Sequence, residues 1–228
     1  MIPASGRLPE VPDLVAQLGY FTVYAPRQTG KTTTLRALAE KLTATGEYAA
    51  LHFSCEIGEP FGDDLGGAQR GILQTIRTRS ETALAPELRP PPWPDVPDGS
   101  LFASGLTAWA RSCPRPLVLF FDEIDALRGA SLISVLRQLR AGFNDRPEGF
   151  PASVALCGLR DVRDYKAASG GDPSRLGTAS PFNIKLESLR LGDFTPAEVA
   201  QLYGQHTAET GQPFTPQALD LAVELTAG

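Results

Sequence analysis

The sequence predicts an α/β fold in which a parallel sheet lies between two layers of helices. Apolar, strand-like runs alternate with stretches of helical spacing along most of the 228 residues. The run Leu117–Phe121 is apolar throughout, as expected for a strand that is buried on both faces of a parallel sheet. In addition, polar segments that suit a ligand follow two of these runs, at the strand ends where open α/β sheets bind their ligands.

Five short runs are predicted to be strands. In chain order they are a buried strand that begins at Tyr20, then Tyr48–Cys55, Leu117–Phe121, Ser153–Cys157 and Asn183–Leu186. Ser100 is predicted to be the N-cap of a helix over Leu101–Ser112. Between residues 86 and 97 six prolines predict a surface excursion, in which Trp93 either packs as an anchor or contacts a partner.

The loop after the first strand has the spacing of a phosphate-binding loop. In the pattern G-x-x-x-x-G-K-[ST], backbone N–H groups cradle the phosphates, the lysine reaches the β- and γ-phosphates, and the hydroxyl binds Mg²⁺. Ala25 replaces the first glycine of the pattern, whereas Gly30 keeps the second. The residues predicted to bind the nucleotide are Pro26, Arg27, Gln28, Thr29, Gly30, Lys31, Thr32 and Thr33.

Acidic residues follow the third strand, in the order Asp122-Glu123-Ile124-Asp125. Alone, such a segment is also typical of a solvated acidic turn. Together with the lysine loop it predicts one shared site, in which Thr32 and Asp122 hold Mg²⁺. Glu123 is then placed to orient or deprotonate an attacking water molecule.

Through Gly30-Lys31-Thr32 and Asp122-Glu123-Ile124-Asp125 the chain resembles P-loop ATPases of the AAA+ and STAND-like group, from about Tyr20 to its end. The resemblance implies a P-loop NTPase fold with strand order 5-1-4-3-2. It also implies that ATP is the nucleotide and that Lys31 and Glu123 take part in catalysis. Arg160, after the fourth strand, becomes a candidate sensor of the γ-phosphate, although it could equally pair with a surface acid.

The resemblance also suggests how the chain is organised. Residues 1–18 are predicted to be an N-terminal segment, 19–192 an ATPase core, and 193–228 the start of a helical lid. Thr195 and Thr215 each precede a proline and are predicted N-caps of the two lid helices. So short a lid indicates either a fragment of a longer protein or a reduced lid.

The functional prediction is Mg²⁺-dependent ATP binding and hydrolysis that couples nucleotide state to a conformational change. The alternative is a STAND-like regulatory switch that retains ADP and turns over little. A small-molecule kinase fits poorly, because Asp122 and Glu123 favour water activation. No arginine finger can be named, so we expect low basal activity and either a homo-oligomer or a protein partner.

Composition sets limits on partners and compartment. The net charge of −5 does not indicate nucleic acid as a partner, although it leaves a local basic patch open. No apolar stretch has membrane-spanning length, and no secretory signal is evident. Cys55, Cys113 and Cys157 form no C-x-x-C pair, which favours free thiols in a reducing cytoplasm. His52, in the second strand, is interpreted as structural.

Overall fold

A five-stranded parallel sheet forms the centre of the molecule in a computed structural model, which describes residues 4–26, 28–158 and 185–226. The strands are β1 (Tyr20–Tyr24), β2 (Ala49–Ser54), β3 (Leu117–Asp122), β4 (Ser153–Gly158) and β5 (Lys185–Arg190). Their spatial order is β2-β3-β4-β1-β5, and every neighbouring pair is parallel. Read from the opposite edge, this is the predicted order 5-1-4-3-2, so the predicted fold class is confirmed.

The described residues form eight α-helices, and helices pack on both faces of this sheet. They are α1 (Ala4–Arg7), α2 (Val11–Ala16), α3 (Lys31–Ala44), α4 (Leu65–Ala83), α5 (Asp98–Ser112), α6 (Gly129–Ala141), α7 (Pro196–Thr210) and α8 (Pro216–Thr226). The predicted cap of α5 was wrong. This helix begins earlier, after Pro97, and the Ser100 hydroxyl donates to the Pro97 carbonyl at 3.1 Å. Because proline is favoured close to a helix start, the chain turns into the helix before the serine is reached.

The two faces of the sheet bury separate apolar cores. Side chains alternate between the faces of a strand. Leu51 and Phe53 of β2 therefore pack with α4, α5 and α6, whereas Ala50 packs with α2 and α3. Trp93 packs against the first of these cores and lies 4.9 Å below the Arg77 guanidinium, which supports its interpretation as an anchor.

Helix α3 is fixed to the free edge of β2 by a single hydroxyl. Thr43 accepts a hydrogen bond from the Ala50 N–H at 3.0 Å and donates one to the Ala50 carbonyl at 3.1 Å. An edge strand presents unpaired backbone groups, and here a helix residue satisfies one such pair. Together with the buried side chains Leu35, Leu38 and Ala39, this contact holds α3 against the sheet, with the lysine loop at the start of the helix.

The C-terminal helices begin where the sequence predicts. Thr195 and Glu198 form a reciprocal capping box at the start of α7, and the Ala218 N–H donates to the Thr215 hydroxyl at 3.2 Å before α8. Within the described part of α7 and α8, only Val199 is a buried side chain. The two helices therefore contribute little to the cores around the sheet.

Candidate functional site

The lysine loop leaves the sheet through Ala25, the residue that replaces glycine in the usual pattern. Ala25 is fully buried, and its N–H donates to the Gly158 carbonyl at 3.3 Å, which extends the pairing of β1 with β4. The left-handed backbone conformations lie further on, at Gln28 (φ 65°) and Gly30 (φ 74°). Alanine is therefore tolerated at the first position because the loop makes its sharp turns elsewhere.

Lys31 and Thr32 form the first turn of α3 and point toward the end of β3. The Lys31 ammonium donates to the Gly158 carbonyl at 3.1 Å and lies 4.0 Å from Asp122 Oδ1. The Thr32 hydroxyl donates to Asp122 Oδ2 at 2.6 Å. The loop and the acidic strand end therefore converge, as the sequence predicts.

Asp122 is a buried carboxylate that accepts hydrogen bonds from several directions. Its side chain is 1% exposed. Oδ2 also lies 3.1 Å from His52 Nε2, and Oδ1 accepts from the Glu123 N–H at 3.0 Å. Burial alone would raise the pKa of Asp122, but the hydrogen bonds from His52 and Thr32, with the charges of His52 and Lys31, lower that pKa below its ordinary value.

Glu123 directly follows β3 in a left-handed conformation, with φ 54° and ψ 40°. This conformation is uncommon for a residue with a side chain, and such strain is often found at functional sites. The Ser54 hydroxyl, at the end of the neighbouring strand β2, donates to Glu123 Oε2. The strained turn and this hydrogen bond together fix the direction of the glutamate.

A cavity of about 640 Å³ opens between the loop and the acidic turn. Residues of the loop and of the segments that follow β2 and β3 line the cavity. They include Pro26, Gln28, Gly30, Lys31, Thr32, Thr33 and Glu123. At its rim Arg128 donates to Glu59 at 3.0 Å. The volume is within the usual range for a small-molecule site, about 300–1,000 Å³.

Most of the predicted site residues lie in or beside this cavity, but not all of their side chains face it. Thr29 is largely buried, and its hydroxyl donates to the Pro26 carbonyl at 3.1 Å. Thr29 can therefore offer its backbone rather than its hydroxyl to a ligand. Arg27 and Arg160 lie outside the described residues.

Three residues in the site were not assigned to it from the sequence: Arg7, His52 and Ser54. Arg7 donates to the Thr29 carbonyl at 2.5 Å and also to the Gly192 carbonyl, and it stacks on the Phe194 ring at 3.9 Å. No local signal marks Arg7, because its partners are distant in sequence. For Ser54 and His52 the sequence did carry a signal, because both lie near the carboxyl end of a predicted strand, where open α/β sheets bind their ligands.

The donor set at the strand end suits a hard cation. The Thr32 hydroxyl and the Asp122 carboxylate both supply oxygen, the ligand that Mg²⁺ prefers. In the described ranges, the site included, no group of three or more His, Cys, Asp or Glu side chains could hold a metal ion. Among the helices of the same residues, none is long and apolar enough to cross a bilayer.

The chain resembles known proteins in both sequence and fold. Residues 17–165 match the family described as AAA domain. The structure is similar to a Walker-type ATPase of Pyrococcus abyssi, with a TM-score of 0.65 and 13% identity over 99% of this chain and 63% of that chain. It is also similar to AMPPCP-bound DnaA from Aquifex aeolicus, with a TM-score of 0.54 and 14% identity over 99% of this chain and 58% of that chain. A comparison with curated proteins gave no match.

Identities of this size show a shared fold, and the chain spans 63% and 58% of the two structures' lengths. The family match is stronger because it extends over more than half of the chain and includes both the lysine loop and the acidic strand end. With its sheet order and converging motifs, the chain belongs to the AAA domain family of P-loop ATPases.

Proposed function

We propose that this chain binds ATP with Mg²⁺ and hydrolyses it, coupling nucleotide state to a conformational change. One observation carries the proposal: Lys31 and Thr32 meet the buried carboxylate of Asp122 at the wall of one cavity. A cation, a hydroxyl and a carboxylate at a helix N-terminus are the groups that a metal-bound triphosphate requires. The preference for adenine is drawn from the family.

The loop and Lys31 would bind the phosphates. Backbone N–H groups at the start of α3 carry partial positive charge, and the Lys31 ammonium adds a full charge beside them. Thr32 and Asp122 would hold Mg²⁺, which neutralises phosphate charge when it is bound. The Lys31 ammonium donates to the Gly158 carbonyl at 3.1 Å, which holds it at the loop where the phosphates would bind.

Glu123 is proposed as the residue that orients the attacking water molecule. It lines the cavity, and its carboxylate direction is set by Ser54 and by the left-handed turn. A carboxylate in this position can accept a proton from water as the water attacks the terminal phosphorus. Glu123 therefore acts on the reaction step, whereas Lys31 acts on binding.

The first test removes the phosphate-binding cation. Lys31→Ala should weaken ATP binding at least about 100-fold, or about 2.7 kcal/mol, because the phosphates lose their charge partner. Isothermal titration calorimetry with Mg²⁺ and ATP measures this change. Lys41→Ala is the matched control, since Lys41 is an exposed lysine near the other end of the same helix. Equal affinities for the two variants would refute the phosphate-binding role.

The second test separates binding from turnover. Glu123→Gln should bind ATP with nearly unchanged affinity but lower kcat by about 100-fold or more, because the amide cannot accept a proton. Phosphate release measures kcat, and Glu47→Gln, at an exposed position, is the control. Normal hydrolysis by the Glu123→Gln variant would mean that another group activates water.

The alternative function is a nucleotide-dependent switch with little turnover. Arg7 favours it, because this one side chain joins the nucleotide loop, through the Thr29 carbonyl, to Glu198 of α7 at 3.8 Å. Nucleotide that moved the loop would therefore disturb the contact with α7. Mass analysis of gently purified protein distinguishes the alternatives: tightly retained ADP with slow release supports a switch.

The proposal extends to the association of this chain with other protein chains. We infer that the chain associates with itself or with another protein when ATP is bound, since no arginine finger is identified among the described residues. Light scattering with a non-hydrolysable ATP analogue tests self-association. A particle that remains a monomer under these conditions would exclude a homo-oligomer and leave a separate protein partner.

A further inference from the structure

His52 is a residue of β2, and its side chain lies on the face of the sheet that α3 covers. It stands opposite Phe120 in the parallel register, two residues before the pair formed by Ser54 and Asp122. Its side chain is 7% exposed, and its Nε2 atom is 3.1 Å from Asp122 Oδ2. This is the oxygen that also accepts from the Thr32 hydroxyl.

The contact has a defined direction. A carboxylate oxygen only accepts hydrogen bonds, so the Nε2 atom of His52 carries the hydrogen and donates it. Oδ2 of Asp122 is thus held from one side by the imidazole and from the other by Thr32. The Thr32 oxygen keeps its lone pairs for a metal ion while its hydrogen points to Asp122.

A purely structural histidine would be an unfavourable choice at this position. The Nδ1 atom of His52 is buried and has no hydrogen-bond partner among the described residues. Leaving such a group unpaired costs about 1–3 kcal/mol. Neighbours on the same face, Ala50 and Phe120, are apolar and show what simple packing would require. The unpaired atom therefore points to a role for the other nitrogen.

We propose that His52 is a positioning residue for the metal–nucleotide site. It holds the carboxylate of Asp122 in the orientation in which that carboxylate and Thr32 can share one cation. Removing a residue that hydrogen-bonds to a metal ligand typically lowers the affinity for the metal about 10–100-fold. This inference rests on the proposed function, because it assigns to His52 a part in the same Mg²⁺–ATP site.

Two amide variants test the proposal. The amide nitrogen of Gln extends about as far as imidazole Nε2, whereas that of Asn reaches only about as far as Nδ1. His52→Gln should therefore keep the hydrogen bond to Asp122, and His52→Asn should lose it. Calorimetric titration of ATP with Mg²⁺, and again with EDTA, separates the metal-dependent part of binding from the rest.

We expect His52→Asn to lose about 10-fold or more of the affinity gained from Mg²⁺, with binding in EDTA unchanged. His52→Gln should retain most of that gain. Equal losses in the two variants, or an equal loss with and without Mg²⁺, would overturn the positioning role. Binding of Mn²⁺ by each variant in the presence of ADP, followed by electron paramagnetic resonance, gives a second readout that does not depend on hydrolysis.

His52→Leu covers the case in which the Asn variant does not fold. Leucine removes the donor but also the unpaired Nδ1 atom, which offsets part of the stability lost with the hydrogen bond to Asp122, so this variant should remain folded while losing the Mg²⁺-dependent affinity. A Leu variant with normal Mg²⁺-dependent binding would refute the inference. If the unmodified protein binds no ATP at all, the proposed function itself fails, which keeps the two failures distinct.

Discussion

The lysine loop and the acidic turn face the same cavity but are held by different kinds of contact. The loop is shaped by its backbone: left-handed residues at Gln28 and Gly30, and a carbonyl at Thr29 that Arg7 binds. The acidic turn also contains one left-handed residue, Glu123, but it is held mainly by side chains, because Asp122 and Glu123 accept hydrogen bonds from hydroxyl and imidazole groups on other elements.

Because of this difference, the two regions tolerate different substitutions. The loop is sensitive to an added Cβ where its backbone is left-handed, as at Gly30, but tolerates one at Ala25, before the sharp turns. A buried carboxylate is sensitive to the loss of any donor, because an unpaired buried charge is costly. Three substitutions test whether the two regions differ in this way.

The largest effect is expected on the acidic side. Asp122→Asn should lower the free energy of unfolding by about 2 kcal/mol at pH 7, because hydrogen bonds to a charged group are lost. The pKa of Asp122 is lower in the folded protein than its ordinary value, so this stabilisation is present above the unfolded pKa of about 3.9 and is lost as pH falls through the folded pKa. Urea unfolding at pH 7 and at about pH 3 measures it.

The control for this change is Asp220→Asn, at an exposed position of α8. It should alter stability by less than about 0.5 kcal/mol at either pH. If the Asp122 variant differed from the unmodified protein by the same amount at both pH values, the lowered pKa of Asp122 would not be the source of its stabilisation.

An intermediate effect is expected in the loop. Gly30→Ala should destabilise the protein by about 1–2 kcal/mol and weaken ATP binding, because an L-residue resists the left-handed conformation. A Cβ there would also lie 3.2 Å from the Phe194 ring and 3.3 Å from Arg7. Gly46→Ala is the matched control: φ is +84°, yet a Cβ there would meet nothing within 4 Å.

Thermal unfolding and ATP titration of both glycine variants separate the two causes. Gly46→Ala carries only the backbone cost, so the additional loss in Gly30→Ala measures the contacts with Phe194 and Arg7. Equal stability losses, with normal ATP affinity in both, would mean that the close approach at Gly30 has no effect on the loop.

The smallest effect is expected at the link between the loop and α7. Arg7→Ala should cost about 1 kcal/mol, because the Thr29 carbonyl loses its charged donor and Phe194 loses a stacked guanidinium. Hydrogen exchange should increase at the loop and at the start of α7 together. Arg36→Ala, at a half-exposed residue paired with Glu40, is the control. If exchange in the Arg7 variant increased at the loop alone, the link to α7 would be contradicted.

The convergence of the two motifs could be predicted because each motif is local and follows a strand. In a parallel sheet the carboxyl ends of the strands lie at one edge, so Lys31 and Asp122 must come near each other if the strands are close in the sheet. By contrast, the cap of α5 was mispredicted at Ser100, because a proline before the helix set its start. Such boundaries depend on small local energies that a nearby residue can reverse.

The α/β fold, the phosphate-type loop and the acids that follow β3 could be predicted from the sequence alone, because apolar periodicity and residue spacing are local properties of the chain. The residues that support those acids are selected by tertiary packing. Ser54 and His52 reach Glu123 and Asp122 because β2 lies beside β3, although about 70 residues separate them. Arg7 reaches the loop for the same reason: packing, rather than sequence proximity, selects the partner of a long side chain.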